Sequence, residues 1–360
     1  MTGKAVVVVV VGHLCVDDVY HVLKYPNEDS TVGSRTQHNR CTKQEWARGG
    51  NASNNSTVLA CLNQPVEFFG TLANDHLLKF FTDDMTSLGI KYDNCPIIDG
   101  IARAPASVVI CSEESGTRTI VHSKGDLPEL TLDDFQAKIN LAVTSWVHFE
   151  GRNETEVVKM IEKIHEYNNN AAKRVKHTIK NSGLKFSYKD VSITISVEVE
   201  KCRESLNTLL PLGHVVFVGK DFASWQGAKN CRDAVQLMQS KVSAGSLVIC
   251  PWGEDGAAYG VGTGSQVTDN DDPSYAEIKK IDAFPPSQLI DSLGAGDTFI
   301  GTTIFCLNKG LDVETSIEMG CRIASEKLSM YGFLGLKEKA GVILDKVFNK
   351  EQCNVSSGAK

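Results

Sequence analysis

The 360-residue sequence lacks any apolar run long enough to cross a membrane. Its valine run, Val6 to Val11, falls far short of the ~20 residues that a spanning helix needs, and no small-residue cleavage site follows it. That run reads instead as a buried parallel strand. Basic charge is also in short supply: 37 Lys and Arg stand against 44 Asp and Glu, a formal net charge of -7. A protein that neutralises nucleic-acid phosphates carries a basic face, so nucleic acid is not an expected partner, and neither is a membrane. The eleven cysteines are odd in number, scattered and never spaced C-x-x-C. This pattern suits neither a disulfide framework nor a zinc ribbon, and it points to a reducing, cytoplasmic location.

Two nucleotide-binding signatures are missing as well. Gly12 stands alone after the first strand, without the Gly-x-Gly-x-x-Gly of a dinucleotide fold, which disfavours a nicotinamide dehydrogenase. Gly260-Val-Gly-Thr-Gly-Ser265 lacks the lysine and the strand–turn–helix setting of a P-loop, and reads as a hairpin or loop.

What is present centres on Asp291-Ser-Leu-Gly-Ala-Gly-Asp-Thr-Phe-Ile-Gly301. Gly294 and Gly296 precede a run, Thr298 to Leu307, that can be helical, so backbone N–H groups turn toward the helix start, a natural seat for an anion. Asp297 places a carboxylate beside that seat. Donors that stabilise a transferring phosphoryl group, next to a base that takes a proton from an acceptor hydroxyl, are the parts phosphoryl transfer needs. A glycine turn with Asp297 as a helix cap explains the short motif equally well.

Earlier in the chain, residues 5–12 read as the first strand, with Asp17 and Asp18 close to its carboxyl end, where open α/β sheets keep their ligands; alternation turns one of the two toward the site. Gly49-Gly50-Asn51 leads into a helix over Ala52 to Asn63, and Asn51 and Asn54, about one turn apart, offer amides to hydroxyls. Asn74 to Leu88 reads as an amphipathic core helix closed by Gly89. Two β-rich pieces, about 14–46 and 95–125, interrupt an otherwise alternating pattern and are expected to pair as a small lid over the sheet end, with Ser107 to Cys111 and Arg118 to His122 as a hairpin. Strands at Ser145 to Phe149, Ile193 to Val199, His214 to Val218 and Leu247 to Cys250 alternate with helices such as Glu154 to Tyr167, which predicts a parallel sheet covered on both faces. Polar stretches at 168–192 and 262–280 read as insertions, Asp312 to about Leu328 as a helix, and 336–360 as a frayed tail.

The string Asp291 to Phe299 resembles the signature of the ribokinase-like (PfkB) sugar and nucleoside kinases. The likeness extends through Tyr25 to Ser30, Arg48 to Asn54, Arg118 to Val121, His148 to Asn153, Ser196 to Lys201, Val216 to Asp221 and Asp282 to Pro286, and it is tightest with the fructose-phosphorylating branch. The resemblance implies a single kinase domain over 1–335: a three-layer α/β fold, its mostly parallel sheet covered by helices on both faces, with a small β-sheet lid. It also implies ATP-dependent phosphorylation of the 1-hydroxyl of D-fructose. Asp297 would be the base, with the amides of Gly294, Ala295 and Gly296 as anion hole. Asp17, Gly49, Gly50, Asn51, Asn54 and Arg118 would meet the sugar. The nucleotide would lie near Lys220, Trp252, Gly253, Glu254, Asp255, Gly256, Gly294, Gly296 and Cys321. A homodimer formed through the lid is implied too. Many members carry an Asn-x-x-Glu motif where this chain reads Lys220-Asp-Phe-Ala223, so Mg2+ is expected on ATP and water with no direct protein ligand assigned; K+ is an optional further ion. The alternatives are a kinase of the same fold acting on an aldose or nucleoside, and a catalytically silent sugar-binding protein.

Overall fold

The computed structural model describes residues 6–26, 31–32, 35–36, 40–100, 103–182, 192–264 and 277–357. The valine run forms a strand, Val7–Val11, buried over its whole length. Period-two alternation sends Val8 and Val10 into one hydrophobic core and Val7, Val9 and Val11 into a second, the behaviour of a strand covered on both faces.

Among the described residues the main sheet has eight strands, in the order Lys279–Ile281, Ala257–Val261, Leu247–Pro251, Val215–Val218, Thr194–Val199, Thr144–Glu150, Val7–Val11 and Val66–Phe69. The six strands from Leu247–Pro251 to Val66–Phe69 run parallel; the other two join antiparallel at one edge. One core lies beneath helices Asn51–Cys61, Leu78–Leu88, Ala295–Asn308, Val313–Leu328 and Leu336–Ser357. The other lies beneath Leu132–Lys138, Glu154–Ser182, Lys220–Trp225 and Cys231–Gln239. At the carboxyl ends of the parallel strands sit Gly12, Glu150, Glu200, Lys220 and Trp252.

The lid exists as a four-stranded sheet, ordered Arg118–Ser123, Ala106–Ser112, Cys15–Val22 and Lys43–Gly49. Its register puts Asp17, Ser107 and His122 in one cross-strand row and Asp18, Val108, Val121 and Trp46 in the next, on the opposite face. Asp17 is therefore the inward carboxylate. Asp18 points outward and accepts from Tyr20 Oη at 2.9 Å.

Several boundaries differ from the expectations. The helix expected to end at Tyr167 runs from Glu154 to Ser182, because Asn168 clamps the backbone of Ile193 through two hydrogen bonds of 2.8 and 2.9 Å and Ala171 is buried behind it. Polar alanine- and lysine-bearing sequence is also good helix material. The rest of the expected insertion, 183–191, lies outside the described residues, as do 265–276 of the second one, whose end instead supplies the edge strand Lys279–Ile281. The expected tail is a helix, Leu336–Ser357. Leu336, Ala340 and Leu344 recur every four residues and are buried against the core, a stripe masked by the lysines between them. The core helix expected from Asn74 begins at Leu78, since the Asp75 carboxylate accepts from Leu77 N at 2.8 Å and holds the preceding turn.

One glycine sets the spacing on which the site depends. A Cβ at Gly301 would come within 2.9 Å of Val58, so only glycine lets Asn51–Cys61 and Ala295–Asn308 approach this closely.

Candidate active site

The helix expected to begin at Thr298 begins at Ala295, with Gly294 as its N-cap at φ 77° in the left-handed region. Gly294 thus makes the turn, while Gly296 lies in the first helical turn, where a Cβ would meet nothing within 4 Å. No side chain caps this helix start. Ala295 N donates to the Ser292 carbonyl at 3.4 Å and Thr298 N to the Gly294 carbonyl at 2.9 Å, which leaves the N–H groups of Gly296 and Asp297 without an intrahelical acceptor at the positive end of the helix dipole. The loop that leads in is pinned by a buried ion pair: Lys327 Nζ donates to Asp291 Oδ2 at 2.6 Å and to the Asp291 carbonyl at 3.0 Å. Asp291 also accepts from Leu293 N at 2.8 Å and Gly332 N at 3.0 Å. Removing one partner of such a pair typically costs about 3–5 kcal/mol.

Asp297 is half-buried and accepts from Asn54 Nδ2 at 2.8 Å. Burial pushes its carboxyl well above the ordinary aspartate range, and the negative charge of Glu198, with Glu200 and Glu150 beyond, pushes the same way against the Asn54 hydrogen bond. Asn51 is turned toward that acidic group: its Nδ2 donates to Glu198 Oε1 at 3.0 Å and Glu200 Oε2 at 2.7 Å. Gly50, at φ 97°, caps the helix start, and a Cβ there would strike the His13 carbonyl at 2.5 Å. Gly49 leaves room for the Asp17 carboxylate, which a side chain at that position would overlap. Asp17 is buried on the inner lid face, and burial raises its carboxyl pKa.

Arg118 reaches from the lid's edge strand to donate to the Ser292 hydroxyl, tying the lid to the loop before Gly294. Lys220, at a helix start, holds its ammonium 5.4 Å from the centre of the Trp252 ring. Gly253, Glu254 and Asp255 form an exposed 3-10 turn after strand Leu247–Pro251, and Gly256 closes it by accepting from Trp252 N at 2.7 Å. Cys321 is the outlier. It lies buried in the core, its thiol pushed up to about 12 by that burial.

The acidic residues Glu150, Glu198 and Glu200 were not singled out from the sequence, although a signal was there. In a strand buried on both faces, polar residues two apart are out of place. Trp146, His148 and Glu150 recur with that period, as do Ser196, Glu198 and Glu200, and the register sets His148 beside Ser196 and Glu150 beside Glu198. Ser196 Oγ accepts from Trp146 Nε1 at 2.8 Å and bonds His148 Nδ1 at 2.8 Å. Burial depresses His148 to about 3, so it stands neutral at 3.9 Å from Glu198. Glu150 accepts from His13 N at 2.8 Å and lies 3.5 Å from Arg152, which also bonds Glu129 at 2.7 Å.

The overall arrangement is that of solved ribokinases. Ribokinase from Giardia lamblia superimposes with a TM-score of 0.68 at 17% identity, covering 95% of this chain and 99% of that one. Ribokinase from Arabidopsis thaliana, in a structure with ribose and ATP, gives 0.67 at 17% identity, covering 93% and 97%. At the sequence level, the profile of the pfkB family carbohydrate kinases matches residues 7–336, and mouse ketohexokinase is 35% identical over 326 residues, 91% of this chain and 97% of that protein. The chain belongs to the pfkB family of carbohydrate kinases.

The raised pKa of Asp297 has a testable sign. For a reaction that needs the Asp297 carboxylate ionised, the acid limb of the kcat/KM profile should lie above the ordinary aspartate range, with activity rising as pH climbs through it. In Glu198→Gln a neighbouring negative charge is gone and the limb should move to lower pH; a limb that stays in place contradicts the coupling.

Proposed function

We propose that this protein is an ATP-dependent ketohexokinase that transfers the γ-phosphoryl group of ATP to the 1-hydroxyl of D-fructose, giving fructose 1-phosphate and ADP. The observation that carries this reading is the Asn54–Asp297 hydrogen bond at an uncapped helix start, in a chain that matches mouse ketohexokinase over 91% of its length.

In this reading Asp297 removes the proton from the sugar's 1-hydroxyl as the oxygen attacks the γ-phosphorus in line, and the bond to the ADP oxygen breaks without a covalent enzyme intermediate. The N–H groups of the Gly294–Ala295–Gly296 turn stabilise charge on the transferring group. Asn54 orients the base, while Asp17, Gly49, Gly50 and Asn51 shape the sugar end. Arg118, anchored on Ser292, closes the lid over the two substrates and keeps water out. Lys220 supplies positive charge to the ATP phosphates, and the Trp252–Gly256 turn offers backbone to the nucleotide. With so little surface, Cys321 serves only as floor beneath the base.

ATP brings a divalent metal in this family, and the acidic group fits Mg2+. Glu198 Oε2 is buried with no hydrogen-bond partner, and Glu198 and Glu200 offer the hard oxygen donors that Mg2+ takes. These two residues would hold it, and when bound it would neutralise phosphate charge.

The outer lid face supports a homodimer. Val108, Val121 and Trp46 are exposed in one cross-strand row there, with Asp18 between Val108 and Trp46, a largely apolar row suited to a second copy of the same sheet. The ten cysteines whose side chains are described are free thiols, consistent with the cytoplasm.

A rate panel with coupled ADP detection tests the substrate. Fructose should give the highest turnover, with ribose and adenosine far behind, and Asp297→Asn should keep its fold and nucleotide binding while turnover falls by about 10²–10⁴. Faster turnover of ribose or adenosine overturns the substrate, and more than half of wild-type turnover in the variant overturns the base. Light scattering should report twice the chain mass; a single-chain mass removes the dimer.

A further inference from the structure

Where the first main strand passes into the lid, three side chains converge that phosphoryl transfer does not use. His13 lies in the turn after Val7–Val11, Cys15 opens the lid strand Cys15–Val22, and His122 is on the inner face of the edge strand Arg118–Ser123. One ligand atom from each lies within 4.8 Å of the other two. The His13 and His122 rings meet edge to face, 5.5 Å between centres.

We propose that His13, Cys15 and His122 form a Zn2+ site at the sugar end of the cleft. Two imidazoles and a thiolate are the donors Zn2+ prefers, at about 2.0–2.1 Å for nitrogen and 2.3 Å for sulfur. The present spacing is about an ångström wider than a tetrahedral ion requires, a gap that a small shift of the exposed His122 side chain closes with its Ser107 hydrogen bond kept. Two further features are those of a ligand site. His13 Nε2 is buried with no hydrogen-bond partner, a polar atom left unsatisfied unless something binds it. The Ser107 hydroxyl holds His122 Nδ1 at 3.1 Å, which fixes the ring and leaves its other nitrogen for an ion. A cavity lined by Thr71, Lys124, Glu129 and Arg152 reaches the cluster at His13.

Asp17 lies outside the three-residue cluster as it stands, but its Oδ1 is 3.5 Å from Cys15 Sγ, so a turn of its side chain brings it to the fourth position. This coupling rests on the reading of Asp17 as a sugar ligand: a filled site draws its carboxylate onto the metal and competes with the ketose. The ion also bridges the main-sheet turn to two lid strands and fixes the lid in place. Zn2+ displaces the Cys15 proton to solvent on binding, with no change in oxidation state.

Co2+ titration of the metal-free full chain reads the site without any turnover. Wild-type protein should show a thiolate-to-cobalt charge-transfer band saturating at one equivalent. The band should vanish in Cys15→Ser, and the affinity should fall at least about tenfold in His122→Ala, whose exposed side chain can be truncated without disturbing the core. No band in the wild type, or one undiminished in Cys15→Ser, overturns the site. In turnover assays Zn2+ should inhibit competitively with fructose, and His122→Ala should raise the inhibition constant about tenfold; an unchanged constant overturns the coupling to the sugar. A protein that turns over no sugar yet shows the cobalt band refutes the kinase reading and leaves the metal site standing.

Discussion

The site depends on one close approach between two helices. Asn51–Cys61 and Ala295–Asn308 come from opposite ends of the chain, and they touch because position 301 carries no side chain. That contact brings Asn54 within 2.8 Å of Asp297 across 243 positions of sequence. That hydrogen bond holds the Asp297 side chain in one rotamer at the helix start. Without the contact, Asp297 would lie on a helix with nothing to aim it.

Placing Asp297 there is costly in electrostatic terms. The same edge of the sheet gathers Glu150, Glu198 and Glu200, and burial and mutual repulsion push both Glu198 and Asp297 toward their protonated forms. Asn51 offsets part of this by donating to both Glu198 and Glu200, Lys201 pairs with Glu200 at 2.8 Å, and Arg152 faces Glu150. On the proposed function, cations arriving with the nucleotide would relieve the remaining strain, and the acidic edge would serve as their receptor. Carboxyls perturbed in this way cluster at functional sites.

The fold was largely legible because its signals are local. The valine run, the alternation of strands and helices, the two β-rich pieces and the glycine string before Phe299 each announce a structure that a short window can hold. The Leu336–Ser357 helix was hidden because its apolar stripe is narrow and diluted by lysine, and the extension past Tyr167 because polar composition was read as loop although helices tolerate it. Asp297 and Asn54 stand out in the sequence by their residue types beside glycine turns, and the structure brings the two together. Their pairing was not legible, since it depends on helices far apart in sequence. Glu198 and Glu200 are less legible, because a short apolar strand announces burial, and only the alternation of Ser196, Glu198 and Glu200 within it marks a polar edge.

The proposed chemistry depends on where the acceptor hydroxyl lies relative to Asp297. The most direct measurement is a crystal structure with fructose and a non-hydrolysable ATP analogue bound together. The sugar's 1-hydroxyl should lie within hydrogen-bond reach of an Asp297 carboxylate oxygen and the γ-phosphate against the Gly294–Gly296 turn. A ketose bound elsewhere, or bound with a different hydroxyl toward Asp297, would contradict it.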